Sequence, residues 1–333
     1  MKAETILAKA GLLLASNLVA LGALELGLRV SYPLWADYNS EMWRYATEVK
    51  ERSHHPGQGH QHGPHRDAAL YGTHIRTNAL GLREEREVAL QAAPDTRRVL
   101  LLGDSITLAW GVDWTDSYGQ VLEASLEERS ELDFEVLNAG VGNYNSQALA
   151  AAWQRYAQLE PDVVVVGFYI NDIEHIAYPS PVAAWFMARL YLYPFFHRRI
   201  LALFAQDYRS FYDGLYADPA LADRLVADLG GLLDQVEDQG IPAVFVNIPE
   251  LHSFEGAPFP QVRELIEQRV LTGHDACYAD LLPHFAGHEP TSLWVSPEDH
   301  HPNAAGHDIM ARGIMAACGP VLLGPAHPPE TSE

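Results

Sequence analysis

The feature that most constrains this chain is a repeated one. Short strand-like runs, Val99–Leu102, which is apolar throughout, Phe134–Leu137, which carries Glu135, Val163–Phe168, and Ala243–Ile248, which carries Asn247, are separated by segments long enough for a helix. A strand that is apolar throughout must be covered on both faces, and strands alternating with helices build a sheet of parallel strands with helices on each side. The chain is therefore expected to be α/β from Arg98 onward. Helices are expected at about Ser117–Glu128, after Ser146 to about Leu159, at Ala220–Gln239, Gln261–Leu271 and about Asn303–Ala317, with a short strand near Ser292–Val295.

Ligands of such sheets bind beyond the carboxyl ends of the strands. The first run leads into Gly103-Asp104-Ser105, read as a tight turn that opens a helix with Asp104 as its cap and Ser105 near the free N–H groups. The second ends in Asn138 and a glycine-containing turn at Gly142-Asn143, and the third in Asn171-Asp172. These three positions should meet at one edge, and the loop before the last helix, with Asp299 and His301, can be brought over it. A serine hydroxyl needs a base to attack an ester, and the base needs a carboxylate to hold its tautomer. His301 is the candidate base and Asp299 its carboxylate, with Glu298 as the alternate. Donors for the developing oxyanion are the N–H of Ser105, a backbone N–H of Gly142 or Asn143, and the Asn171 side chain. Asp104, Asp172, His300 and His307 are read as structural. No metal is assigned to the site.

Taken together, G-D-S-I-T at Gly103–Thr107, the glycine turn after Asn138, Asn171-Asp172, and D-H-H-P-N ending at Asn303 resemble, in order, the four blocks of the GDSL or SGNH hydrolases. The resemblance spans roughly Arg97 to Gly319, and the upstream T-N-A-L-G-L-R behind an apolar N-terminus looks like a bacterial, membrane-tethered branch of that family. It implies a flavodoxin-like three-layer α/β/α sandwich and hydrolysis of acyl or acetyl esters of lipids, carbohydrates or small molecules, without metal or organic cofactor. Two departures stand out. The position usually held by the block's glycine falls on Asn143, with Gly142 before it, and the last block allows either Asp299 or Glu298 to face His301. Two rival readings remain at this level: an O-acyltransferase that hands the acyl group to a glycan, and a glycan-binding module without turnover.

The rest of the chain bounds the setting. Lys and Arg number 22 against 44 Asp and Glu, a formal charge of −22 that repels phosphate backbones and argues against a nucleic-acid partner. An apolar stretch, Ile6–Leu28, follows Lys2 and contains Lys9. It is expected to be a membrane anchor with its positive end inside and the remainder facing the periplasm or exterior, a cleaved signal peptide being the alternative. The expected organisation is an anchor at 1–30, a juxtamembrane segment, His-rich linker and arm at 31–96, a hydrolase domain at 97–320 with an aromatic insertion at 182–216, and a disordered tail at 321–333. The His54–His65 tract is read as a mobile linker, with metal binding as the alternative, and Arg76 and Arg83 as parts of a packed arm, with either of them near the active site as the alternative. The insertion, rich in aromatics and arginine, is read as a helical hairpin on the core or as a lid that binds an acyl chain or rests on a membrane. Cys277 and Cys318 are compatible with buried thiols or one disulfide.

Overall fold

The computed structural model describes residues 2–176, 180–201, 207–256 and 258–324. The chain divides into two compact units, Met1–Thr47 with Tyr178–Gln206, and Glu48–Ala177 with Asp207–Glu333.

The second unit is built on five parallel strands: β1 (Thr96–Leu102), β2 (Asp133–Asn138), β3 (Val163–Phe168), β4 (Ala243–Asn247) and β5 (Cys277–Asp280). Their order across the sheet is β2-β1-β3-β4-β5. Side chains alternate between faces with a period of two. Leu100, Leu102, Val164 and Val166 pack toward the helices Ser146–Tyr156 and Pro219–Glu237. Val99, Leu101, Val163 and Val165 pack toward Tyr118–Glu127 and Ala304–Leu323. All six residues of β3 are buried, as the central position demands. This is the flavodoxin-like three-layer α/β/α sandwich expected from the sequence. A disulfide joins Cys277 at the start of β5 to Cys318 on the last helix, closing a sequence separation of 41. In the chain-entropy picture a loop of that size contributes about 4 kcal/mol.

Several expectations are corrected. No regular helix follows Ser105: the chain makes turns as far as Val112, because Ala109 (φ 61°) and Gly111 (φ 73°) are left-handed, and the next helix starts at Tyr118 on the Ser117 cap. The fifth strand, Cys-Tyr-Ala-Asp, was not anticipated; it lies at the sheet edge and carries a half-buried pattern instead of an apolar run. The strand near Ser292 is Trp294–Ser296, which pairs antiparallel with Asp299–Pro302 outside the main sheet. The His-rich tract is folded: Lys50–Arg52 and His60–His62 form an antiparallel hairpin in which Gln58 and His62 are fully buried. The last helix continues through Val321 to Leu323, past the boundary expected at 320; residues 325–333 lie outside the described residues.

The aromatic insertion is not one element. Its helix Tyr208–Ala217 belongs to the second unit, where Tyr212 bonds Glu174 and Tyr216 donates to the Ile170 carbonyl at 2.9 Å. Its helices Pro181–Met187 and Leu192–Leu201 belong to the first unit; Leu203 and Phe204 lie outside the described residues. That unit also holds the apolar helix Lys2–Val30 and the helix Tyr38–Glu48.

Candidate active site

Ser105, the Gly142-Asn143 turn and Asn171 follow β1, β2 and β3, three adjacent strands whose ends lie level: Leu101 faces Asn138, and Leu102 faces Val166. The turn at Ser105 is shaped by close packing. Asp104 Oδ1 accepts from the Ile106 N–H at 2.8 Å, and the Leu108 N–H donates to the Asp104 carbonyl at 2.9 Å. This folds Thr107 back beneath the strand ends. A Cβ on Gly103 would sit 1.8 Å from Thr107 Oγ1, and one on Gly140 would sit 2.3 Å from the Leu108 nitrogen, so both positions require glycine.

Ser105 Oγ lies 2.8 Å from His301 Nε2, and His301 Nδ1 lies 2.6 Å from Asp299 Oδ1. This geometry suits a ring with its hydrogen on Nδ1, leaving Nε2 to accept from the serine hydroxyl. Asp299 is buried and multiply held: Oδ1 also accepts from the His301 N–H at 3.1 Å, and Oδ2 from the Trp110 indole at 2.8 Å. Asp299, and not the exposed Glu298, therefore meets His301. His300 packs on Trp294 and His252 with ring centroids 4.1 and 4.2 Å away, and burial lowers its pKa. His307 is buried against Tyr118, its Nδ1 accepting from the Tyr118 N–H at 3.2 Å, and burial holds its pKa at about 3.

The turn after β2 is closed by a 3.1 Å bond from the Tyr144 N–H to the Val141 carbonyl, with Asn143 left-handed at φ 67°. Its central peptide joins Gly142 to Asn143. The Gly142 carbonyl accepts from Lys50 Nζ and lies 3.1 Å from His60 Nε2. In a trans peptide the carbonyl and the N–H point in opposite directions, so the same tie aims the Asn143 N–H away from Lys50. Neither that N–H nor the Ser105 N–H has a protein partner among the described residues. Burial depresses Lys50 to about 7 and His60 to about 3, so at neutral pH His60 is uncharged. Asn171 is the second residue of the turn Ile170–Ile173, its side chain favours the ionised form of the neighbouring Asp104 carboxyl, and its buried Oδ1 has no hydrogen-bond partner among the described residues. Burial raises Asp104, and raises Asp172 more strongly, with Asp104 beside it adding to the effect. Asp172 Oδ2 accepts from the Tyr169 N–H at 3.2 Å, the turn-ordering role expected of it.

Four residues outside the motifs support the site, of which only Arg83 was weighed from the sequence. Lys50 and His60 come from the His-rich hairpin, where the alternation of His60 and His62 was the available signal. Trp110 lies five residues past Ser105, in what read as a helix. Arg83 is buried and donates to the carbonyls of Leu108, of Ala109 at 2.6 Å and of Val112 at 2.6 Å, pinning the turns that follow Ser105. Arg76, by contrast, is an exposed partner of Asp67 and Glu85. His60 and His62 spend ring nitrogens on the carbonyls of Gly142 and Gly81, and the described residues contain no group of three or more His, Cys, Asp or Glu that could hold a metal.

The chain is similar to several known proteins. A solved structure described as TesA is 15% identical, with 68% of this chain and 99% of that chain covered, at a TM-score of 0.47. A catalytic mutant of Axe2, an acetylxylan esterase from Geobacillus stearothermophilus, is 17% identical over 67% of this chain and 94% of that one, at 0.46. The psychrotrophic esterase EstA from Pseudoalteromonas sp. is 15% identical over 68% and 100%, at 0.45. A search of curated protein sequences returns no significant match. The sequence profile described as GDSL-like Lipase/Acylhydrolase matches residues 101–309, from the end of β1 into the last helix, and on that match the chain belongs to the GDSL-like lipase/acylhydrolase family.

Proposed function

We propose that this member of an ester-hydrolase family is a membrane-anchored serine esterase that faces the periplasm or cell exterior. The observation that carries the reading is the unbroken hydrogen-bond path from Ser105 Oγ through His301 to Asp299, at 2.8 and 2.6 Å. In this mechanism His301 Nε2 takes the hydroxyl proton as Ser105 Oγ bonds to the ester carbonyl carbon. Asp299 stabilises the imidazolium that results. The oxyanion is held by the N–H groups of Ser105 and Asn143 and by the Asn171 amide, Asn143 being preferred to Gly142 because the Gly142 carbonyl is tied to Lys50 on the opposite side of the shared peptide. The intermediate collapses as the alkoxy C–O bond breaks, and the leaving alcohol takes the proton from His301. Water, deprotonated by the same ring, then releases the acid and restores Ser105. No step calls for a metal or cofactor. The anchor is the helix Thr5–Val30, 26 residues long and apolar enough to cross a membrane. The Cys277–Cys318 disulfide favours an oxidising compartment outside the cytoplasm.

The test is hydrolysis of p-nitrophenyl esters from acetate to long acyl chains by the full chain, since the hairpin at 50–62 supports the site. Ser105→Ala and His301→Ala are each expected to lower kcat by about 10⁴-fold or more. Turnover that survives either substitution removes the proposed mechanism.

A further inference from the structure

The first unit has an unusual distribution of polarity. Exposed Leu, Val and Ile side chains run along the helix Lys2–Val30, while its charged residues near the C-terminal end turn toward the insertion. Glu25 caps the helix Leu192–Leu201: its two carboxylate oxygens accept from the N–H groups of Tyr191 and Leu192, each at 3.0 Å. Arg29 is held to Glu25 at 2.7 Å, donates to the Arg189 carbonyl, and lies over the Tyr191 ring at 4.9 Å. The Trp43 indole donates to the Met187 carbonyl at 2.6 Å. A carboxylate at a helix N-terminus and an arginine on a free carbonyl are favourable placements that fix the insertion to one height on the apolar helix.

That height can be read from the helix rise. From Thr5 to Leu24 an α-helix advances about 30 Å, the thickness of a bilayer's hydrocarbon core. Glu25 and Arg29 then fall just beyond it, in the headgroup layer. What the insertion presents there fits that layer. Trp185, Phe186 and Ile200 are 52%, 51% and 55% exposed, although each is large and apolar. The same stretch carries Arg189, Arg198 and Arg199 and no acidic residue, in a chain whose formal charge is −22. Aromatic side chains beside arginines are the composition that settles at an anionic membrane interface.

We infer that the helices Pro181–Met187 and Leu192–Leu201 form a collar around the C-terminal end of the membrane helix, seated among anionic phospholipid headgroups. This rests on the anchoring proposed above. It assigns the exposed aromatics of these two helices to lipid and not to an acyl substrate.

The test uses the full chain in vesicles with single cysteines carrying an environment-sensitive fluorophore. Cys277 and Cys318 are bonded to each other, so an introduced thiol is labelled selectively without reductant. A probe at Leu13→Cys reports the anchor, and probes at Phe186→Cys and Phe196→Cys report the collar, the second guarding against misfolding of the first. In phosphatidylglycerol vesicles all three are expected to shift to the blue and to lose most of their emission to brominated lipid. The collar probes should shift less in phosphatidylcholine alone. Quenching at Leu13 with water-like emission at both collar positions overturns the inference and leaves the anchor standing. A blue shift at the collar without lipid quenching also overturns it, because a protein surface then covers the aromatics. Equal shifts in the two lipids overturn the anionic preference. No quenching at Leu13 overturns the anchor and the collar together.

Discussion

The carboxyl edge of β1 to β3 and the membrane-type helix with its collar solve opposite problems. Around Ser105 the apolar side chains are hidden and polar groups are buried in pairs: Asp299 between His301 and Trp110, Arg83 on three carbonyls, Lys50 on Gly142. In the first unit leucines face outward and the polar groups satisfy one another: Asn17 bonds the Leu13 carbonyl at 2.8 Å, and Glu25 and Arg29 bond the insertion. The same rule produces both. A buried or lipid-facing polar group must find a partner in the protein, and an apolar group goes wherever water is absent. The difference is what the proposed membrane seat of the second region requires.

The comparison can be broken at either end. The largest effect is expected from the disulfide. Cys277→Ser with Cys318→Ser should cost about 4 kcal/mol, or somewhat less if the unfolded chain is compact, and lower the Tm of the catalytic unit while vesicle retention is unchanged. An unchanged Tm would mean that the last helix holds β5 without it.

Lys50→Met comes next. It removes one of the two side chains on the Gly142 carbonyl, His60 being the other, and loosens the central peptide, so kcat should fall by about 10-fold, within the cost of losing one oxyanion donor, while KM changes little. Restoration by Lys50→Arg or by Lys50→Gln would tie the effect to hydrogen bonding. A KM effect alone would point to substrate contact instead.

In the first unit, Glu25→Gln should weaken the cap on Leu192–Leu201 by about 1 kcal/mol, seen as faster hydrogen exchange at the Tyr191 and Leu192 amides with hydrolysis of soluble esters unaffected. Unaltered exchange would contradict the fixed height on which the collar depends.

A further effect concerns pH. Burial raises Glu84 from its ordinary 4.5 to about 8, with Glu123 and Glu135 adding to the rise and Arg86 and the Asn138 N–H opposing it. The folded protein then keeps a proton that the unfolded chain has released. The stabilisation is complete below about 4.5 and is lost as pH rises through about 8. Glu84→Gln should flatten the decline in Tm across that window, and an identical slope in both proteins would place Glu84 outside the linkage.

The sheet was legible because four of its strands are short, mostly apolar runs, Val99–Leu102 and Val163–Phe168 without a polar side chain, that alternate with helix-length segments. The fifth was not, since Cys277–Asp280 lies at an edge and mixes polar with apolar positions. The turns after Ser105 were misread as a helix because composition does not reveal the left-handed backbone of Ala109. Ser105, Asp299 and His301 could be named from their place after the strands together with the resemblance to the family's four blocks. Their supports could not: Lys50 and Gly142 are 92 residues apart, and Trp110 and Asp299 are 189 apart, so those pairs exist only once the chain is folded.

The most direct test of the account is where a fluorophosphonate attaches to the full chain, read by peptide mass spectrometry. The account predicts a single adduct on Ser105, formed at a rate that collapses in His301→Ala. An adduct on another residue, or ester hydrolysis that continues with Ser105 unmodified, would contradict it.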